Sequence, residues 1–134
     1  MGHEKWISDY GYSRADIIAQ VDRINTDTSF MESDILKRML FFVVNETLEG
    51  RSNRLKEYTI AINVLNKSAS FKPQENGIVR IHAGRLRRAL SHYYDDKGSA
   101  DSIRITMPKG GYVPFFGRPE DLNLNFPRFS QAFI

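Results

Sequence analysis

Apolar positions along this chain repeat with two different periods. Ile17, Ile18, Val21 and Ile24 fall at i, i+1, i+4 and i+7, which predicts an amphipathic helix over residues 14–25. Ser13 precedes it as an N-cap, with Asp16 in its first turn. Ile35, Leu36, Met39, Leu40, Val43, Val44 and Leu48 then keep the helical period over a broad arc, predicting a central helix over 30–49. Ser29-Phe30-Met31-Glu32 reads as its capping box and Gly50 as its stop. "RLKEYTIAINVLN" predicts a third helix over 55–65, striped by Tyr58, Ala61, Ile62 and Leu65, although its β-branched residues also suit a strand. "NKSASFKPQENG" has loop composition and is long for a helix–helix connection. A fourth helix is predicted over 78–94.

Beyond Gly98 the period falls to two. Residues 103–107 alternate as a strand, Pro108-Lys109-Gly110-Gly111 is a turn, and 112–116 form a second strand in which Pro114 suggests an edge position. The expected fold class is therefore mostly α with a C-terminal β-hairpin. Residues 1–12 read as an irregular aromatic arm carrying Trp6, Tyr10 and Tyr12, and 118–134 as a tail anchored by Phe126, Phe129 and Phe133. The chain has no internal repeat and no low-complexity tract.

Composition narrows this further. The 134 residues suit one domain, and the 41% hydrophobic content supports a modest core. The absence of cysteine excludes disulfides, thiolate metal sites and cysteine nucleophiles. The longest clearly apolar run, 39–44, is far short of a membrane span, and the N-terminus lacks the apolar core of a signal peptide. No membrane association is expected, and a cytoplasmic location is. The net charge of +3 is small, so its distribution matters more than its total.

That distribution is uneven. "IVRIHAGRLRRAL" (78–90) holds Arg80, His82, Arg85, Arg87 and Arg88 without one carboxylate, and no acid occurs between Gly77 and Tyr94. On a helix, Val79, Ala83, Leu86, Leu90 and Tyr93 make one stripe. Arg80, Gly84, Arg88 and Ser91 lie opposite, with Arg85 beside them and His82 and Arg87 on the flanks. Ordinary solvated faces mix signs so that i,i+4 pairs form. A row of guanidinium forks around a glycine instead suits a grooved polyanion, since arginine matches phosphate and reads guanine edges. Gly84 costs about 1 kcal/mol of helix stability relative to alanine and lets a helix axis approach a backbone closely.

These residues, followed by "IRITMPKGGYVPFF", resemble the winged helix-turn-helix DNA-binding domain of the OmpR/PhoB type. The resemblance is closer still to a variant with L-K-E-Y-T-I-A in its second helix and P-K-G-x-Y-V-P in its wing, often found at the N-terminus of larger bacterial proteins. It covers about Ser29 to Phe116. It implies a winged helix-turn-helix domain over 29–117. The arm and amphipathic helix over 1–28 and the tail over 118–134 lie outside the resemblance; their aromatic residues suit either a homodimer interface, the favoured reading, or packing back on the domain. The resemblance further implies a positioning helix at 55–65 and a recognition helix at 78–94 entering the major groove. Arg80 and Arg85 then face bases, and His82 and Arg87 hold phosphate. Arg104, Lys109 and the Gly110-Gly111 turn belong to a wing on the adjacent backbone or minor groove. Arg80 stands where better-known members often carry an acid, so base preference does not transfer. Residues 1–28 are too few for a phosphoacceptor receiver domain, and phosphorylation-driven control is not expected.

The sequence-level expectation is a bacterial-type transcriptional regulator that binds double-stranded DNA as a homodimer. It is expected to be no enzyme, to need no cofactor and to bind no metal: His3, His82 and His92 have no ligand-like spacing, and no Ser/His/acid grouping is visible. "PKGGY" lacks the strand–loop–helix setting of a phosphate-binding loop. The alternative is a winged-helix adaptor or anti-activator that binds another regulatory protein. An RNA-binding domain fits less well, because no aromatic stacking platform accompanies the arginines.

Overall fold

The computed structural model describes residues 11–118 and the backbone of 6–7. The expected dimer contacts through Trp6, Tyr10, Phe126, Phe129 and Phe133 fall outside the described residues.

Among the described residues the chain runs β1 (Trp6–Ile7), β2 (Tyr12–Ser13), α1 (Arg14–Ile24), α2 (Thr28–Met31), α3 (Asp34–Leu48), a 3-10 turn (Ser52–Arg54), α4 (Glu57–Asn63), α5 (Ile78–Asp95), β3 (Arg104–Thr106) and β4 (Phe115–Gly117). It is mostly helical, with an antiparallel two-stranded sheet at its C-terminal end, as the change of period predicts.

α1 starts where the sequence places it. Ser13 Oγ accepts from the Asp16 amide at 3.1 Å and Asp16 Oδ2 accepts from the Ser13 amide at 3.2 Å, closing a reciprocal capping box. The arm before it is not wholly irregular: β1 and β2 pair antiparallel, Trp6 opposite Ser13 and Ile7 opposite Tyr12. Tyr12 packs against the core, so this member of the aromatic arm folds back.

The single helix expected over 30–49 is two helices. Asp27 caps the short α2 through the Ser29 amide at 3.2 Å, and Ser33, in extended conformation, caps α3 through the Leu36 amide at 3.2 Å. Ser29 and Glu32 therefore do not form the expected capping box. Two side chains that satisfy free helix-start amides, six positions apart in sequence, start the helix twice. The break lets Phe30 enter the core, where it is fully buried.

α4 is shorter than predicted because Lys56 is in extended conformation and serves as its N-cap, its amide donating to Thr59 Oγ1 at 3.1 Å. Its C-terminal end is closed by Asn66 in left-handed conformation (φ 58°), with the Lys67 amide donating to the Ala61 carbonyl at 3.0 Å. Asparagine tolerates this position better than most side chains. The second strand begins at Phe115 rather than Tyr112. Pro114 has no amide to donate, and residues 107–114 form a broad loop instead of a tight turn.

One apolar core joins the five helices and the C-terminal hairpin. Ile17, Val21 and Ile24 of α1 pack with Met39, Leu40, Val43 and Val44 of α3, Ile60 and Ala61 of α4, Leu86 and Leu90 of α5, and Ile105 and Phe116 of the hairpin. α1 thus belongs to the same folded unit as residues 29–117. A polar cluster ties it there. Tyr94 of α5 accepts at its hydroxyl from the Ile105 amide (2.9 Å) and from Gln20 Nε2 (3.1 Å), and donates to the Ile103 carbonyl (3.0 Å). Gln20 is wholly buried and also donates to Asp101 Oδ2 at 2.8 Å. Burial pushes the Tyr94 hydroxyl up to about 12, so it stays protonated and keeps its donor at neutral pH.

Candidate nucleic-acid interface

The apolar stripe of α5 is seated as its period requires: Val79, Ala83, Leu86, Ala89, Leu90, Tyr93 and Tyr94 are buried. α5 packs on α3, α4 and β3. That leaves Arg80, Ile81, Arg88, Ser91 and His92 exposed, with His82, Gly84, Arg85 and Arg87 half-buried. Ile81 is 59% exposed among the cations, and the wheel gave no role to it or to His92. An apolar residue one step off the buried stripe was the available signal for Ile81.

The cations then divide by partner. Arg80 is not uncompensated: its Nη1 donates to Glu57 Oε2 of α4 at 2.6 Å and lies 3.4 Å from the Pro73 carbonyl. Arg87 spends Nε on the Met107 carbonyl and Nη2 on the Gly111 carbonyl, each at 2.8 Å. It pins the 107–114 loop to the helix rather than standing free for a phosphate. Arg104 is half-buried against α5. Its guanidinium carbon lies 5.0 Å from the centre of the Tyr94 ring, a cation–π distance. Arg88 and Lys109 are exposed and make no ion pair with any described residue. Gly110, beside Lys109 in the loop, has φ 96°, a conformation that glycine adopts without strain. A Cβ at Gly84 would only touch Arg88 Nη1 at 3.5 Å. Packing within the protein therefore does not demand glycine at 84.

Arg85 donates from Nη1 to His82 Nδ1 at 2.9 Å, and its Nη2 is 3.5 Å from Ser33 Oγ, the cap of α3. Arginine can only donate, so Nδ1 accepts and the imidazole is neutral. Burial, and then the Arg85 cation, hold His82 below its ordinary value of 6.5. The unfolded chain therefore takes up this proton first as pH falls. The histidine's contribution to stability should be complete above about pH 6.5 and be lost as pH falls through the lowered folded value. Denaturant midpoints across this window check it. His82→Asn should flatten the decline, and an unchanged profile would assign the decline to other groups.

Tyr112, half-buried in the loop, lies near Glu57, Arg80 and Arg87; burial first, and then Glu57, raise its hydroxyl above the ordinary tyrosine value. The loop, α4 and the start of α5 thus meet around one group of charges.

Two shallow clefts, of about 210 and 370 Å³, lie between α3 and the 3-10 turn–α4 segment, and α5 lines neither. The basic face of α5 is presented outward, which suits a ligand that supplies its own groove. Among the described residues no group of three His, Asp or Glu could hold a metal ion. No described helix is long and apolar enough to cross a membrane. The chain matches no protein-family model, no curated protein and no solved structure.

Proposed function

We propose that the protein is a sequence-specific duplex-DNA-binding transcriptional regulator of the winged helix-turn-helix type. α5 is its recognition helix in the major groove, α4 the positioning helix, and the 107–114 loop the wing on the flanking backbone. The observation that carries this is the outward face of α5. It carries no acid before Asp95 in its last turn, it exposes Ile81, Arg88 and Ser91, and Arg87 fixes it rigidly to a loop with Lys109 and Gly110 exposed beside each other. Arg88 and Lys109 suit phosphate, Ser91 can add a phosphate hydrogen bond, and Ile81 suits a thymine methyl. Gly84, free of any packing duty, leaves room for close approach of the helix to DNA. The resemblance of 78–90 and 103–116 to the OmpR/PhoB type supports the same reading. One such face makes few base contacts, so the regulator acts as a homodimer on paired half-sites.

Selection from random duplex DNA, repeated with two variants, tests this. Arg85→Ala should relax preference at one position of each half-site, because a bidentate arginine–guanine pair is worth about 1–3 kcal/mol of discrimination. Lys109→Ala should weaken every sequence alike. If Arg85→Ala lowers specific and scrambled duplexes equally while Lys109→Ala changes nothing, this orientation on DNA is wrong.

The adaptor reading draws on a different surface. Phe41 is 48% exposed at the cleft that Phe42 and Val64 also line, an apolar feature that DNA binding leaves unused. Loss of DNA binding in Arg88→Ala combined with Lys109→Ala favours the first reading, and a protein partner lost in Phe41→Ser favours the second.

A further inference from the structure

Among the described residues, Arg80 is the one outward cation of α5 that an acid from another element holds. Its Nη1 sits 2.6 Å from Glu57 Oε2, with the Pro73 carbonyl at 3.4 Å. Nη2 lies over Gly77, where a Cβ would come within 2.7 Å of it. The side chain therefore folds back along the start of α5 into a cradle made by the first residue of α4 and the end of the 66–77 loop. Glu57 is itself mostly covered, at 22% side-chain exposure, whereas Arg80 remains 54% exposed. A surface pair of long side chains contributes little to stability. This one nonetheless brings a carboxylate onto a face that otherwise collects positive charge, where a polyanion would repel it.

A guanidinium carries five donors in a rigid plane. Both hydrogens of Nη1 face the Glu57 and Pro73 oxygens, which leaves the Nη2 and Nε donors uncommitted. A fork with one corner fixed loses less freedom on meeting a planar acceptor pair than a mobile one does.

We infer that Glu57, with Gly77, is a positioning residue that holds Arg80 in one orientation for reading a base, so that Glu57 sets sequence preference at the cost of general affinity. This rests on the DNA-binding reading above. Glu57 touches no DNA in this account and acts only through Arg80. Its removal should therefore separate two quantities that a simple contact residue would move together. Glu57→Gln frees a full positive charge, so scrambled duplexes should bind several-fold more tightly, and the slope of log affinity against log salt should steepen by about 0.9. Preference at the base pair that Arg80 reads should meanwhile fall roughly tenfold, within the range of one bidentate contact.

The experiment is selection from random duplexes with the full-length chain and with Glu57→Gln, Glu57→Asp, Arg80→Ala and the double variant Glu57→Gln/Arg80→Ala, each first checked by thermal melting. Arg80→Ala should abolish preference at one base pair, Glu57→Gln should weaken preference at that same pair, and the double variant should match Arg80→Ala. Glu57→Asp keeps the charge but shortens the reach. It should bind scrambled duplexes as the parent does while losing part of the preference. If Arg80→Ala abolishes a preference that both Glu57 variants leave intact, Arg80 reads unaided and the positioning role is overturned. If Arg80→Ala alters no preference, Arg80 reads no base and the inference fails, while the DNA-binding reading stands on the other positions. If the parent chain selects no duplex sequence, both readings fall.

Discussion

Leu86→Ala should lower the free energy of unfolding by about 2–5 kcal/mol. Leu86 is fully buried on the inner face of α5 and belongs to the core that joins α1, α3, α4 and the hairpin. Truncation removes apolar contact and leaves a cavity that surrounding helices refill only in part. Domains of this size have about 5–15 kcal/mol to lose in total, so the melting temperature should fall by roughly 10 °C or more. Arg85, Arg88 and Ser91 stand on other sides of the same helix. Below its melting transition the variant should keep the DNA preference of the parent chain. A loss under about 1 kcal/mol would mean that α5 is not seated through this residue.

How much of this could be read from the sequence depended on whether the deciding interaction was local. α1 and α5 appear within one residue of their expected ends, because a continuous apolar stripe and a nearby cap define them. The inward residues Val79, Ala83, Leu86 and Leu90 follow from the period alone. The break at Glu32–Ser33 is not legible from the period, because Asp27 and Ser33 both cap, and the second start depends on Phe30 packing into the core. The late start of β4 reflects Pro114 and the hold of Arg87 on the loop.

The partners of the arginines were the least legible part. Glu57 lies 23 positions from Arg80, and Met107 and Gly111 lie 20 and 24 from Arg87. A helical wheel shows which way a cation leaves the helix but not what waits within reach of a long side chain. Hence the expected row of free cations is, in the folded chain, a mixture of free, clamped and stapling ones. The buried polar cluster had a weak signal. Gln20 interrupts the stripe Ile17, Val21, Ile24 at a core position, and a core glutamine needs partners. Those partners, Tyr94 and Asp101, are 74 and 81 positions away.

The largest expected effect on function is that of salt. Arg88 and Lys109 are exposed with no ion-pair partner among the described residues, Ser91 and His92 are exposed on the same helix, and Arg85 and Arg80 keep donors to spare. Neutralising about three to five phosphates per protomer gives a slope of log affinity against log salt of about −2.7 to −4.5. Between about 50 and 200 mM salt, affinity for duplex DNA should then fall by roughly 40- to 500-fold per protomer, and more steeply if two protomers bind together. Arg88→Ala and Lys109→Ala should each make the slope shallower by about 0.9, because each removes one neutralised phosphate.

That titration, with the full-length chain and the two variants on the same duplex, tests most directly whether the outward face of α5 and its adjoining loop bind DNA. A steep slope that Arg88→Ala and Lys109→Ala each relax is the result predicted here. A flat response, or a steep one that neither variant changes, would contradict it.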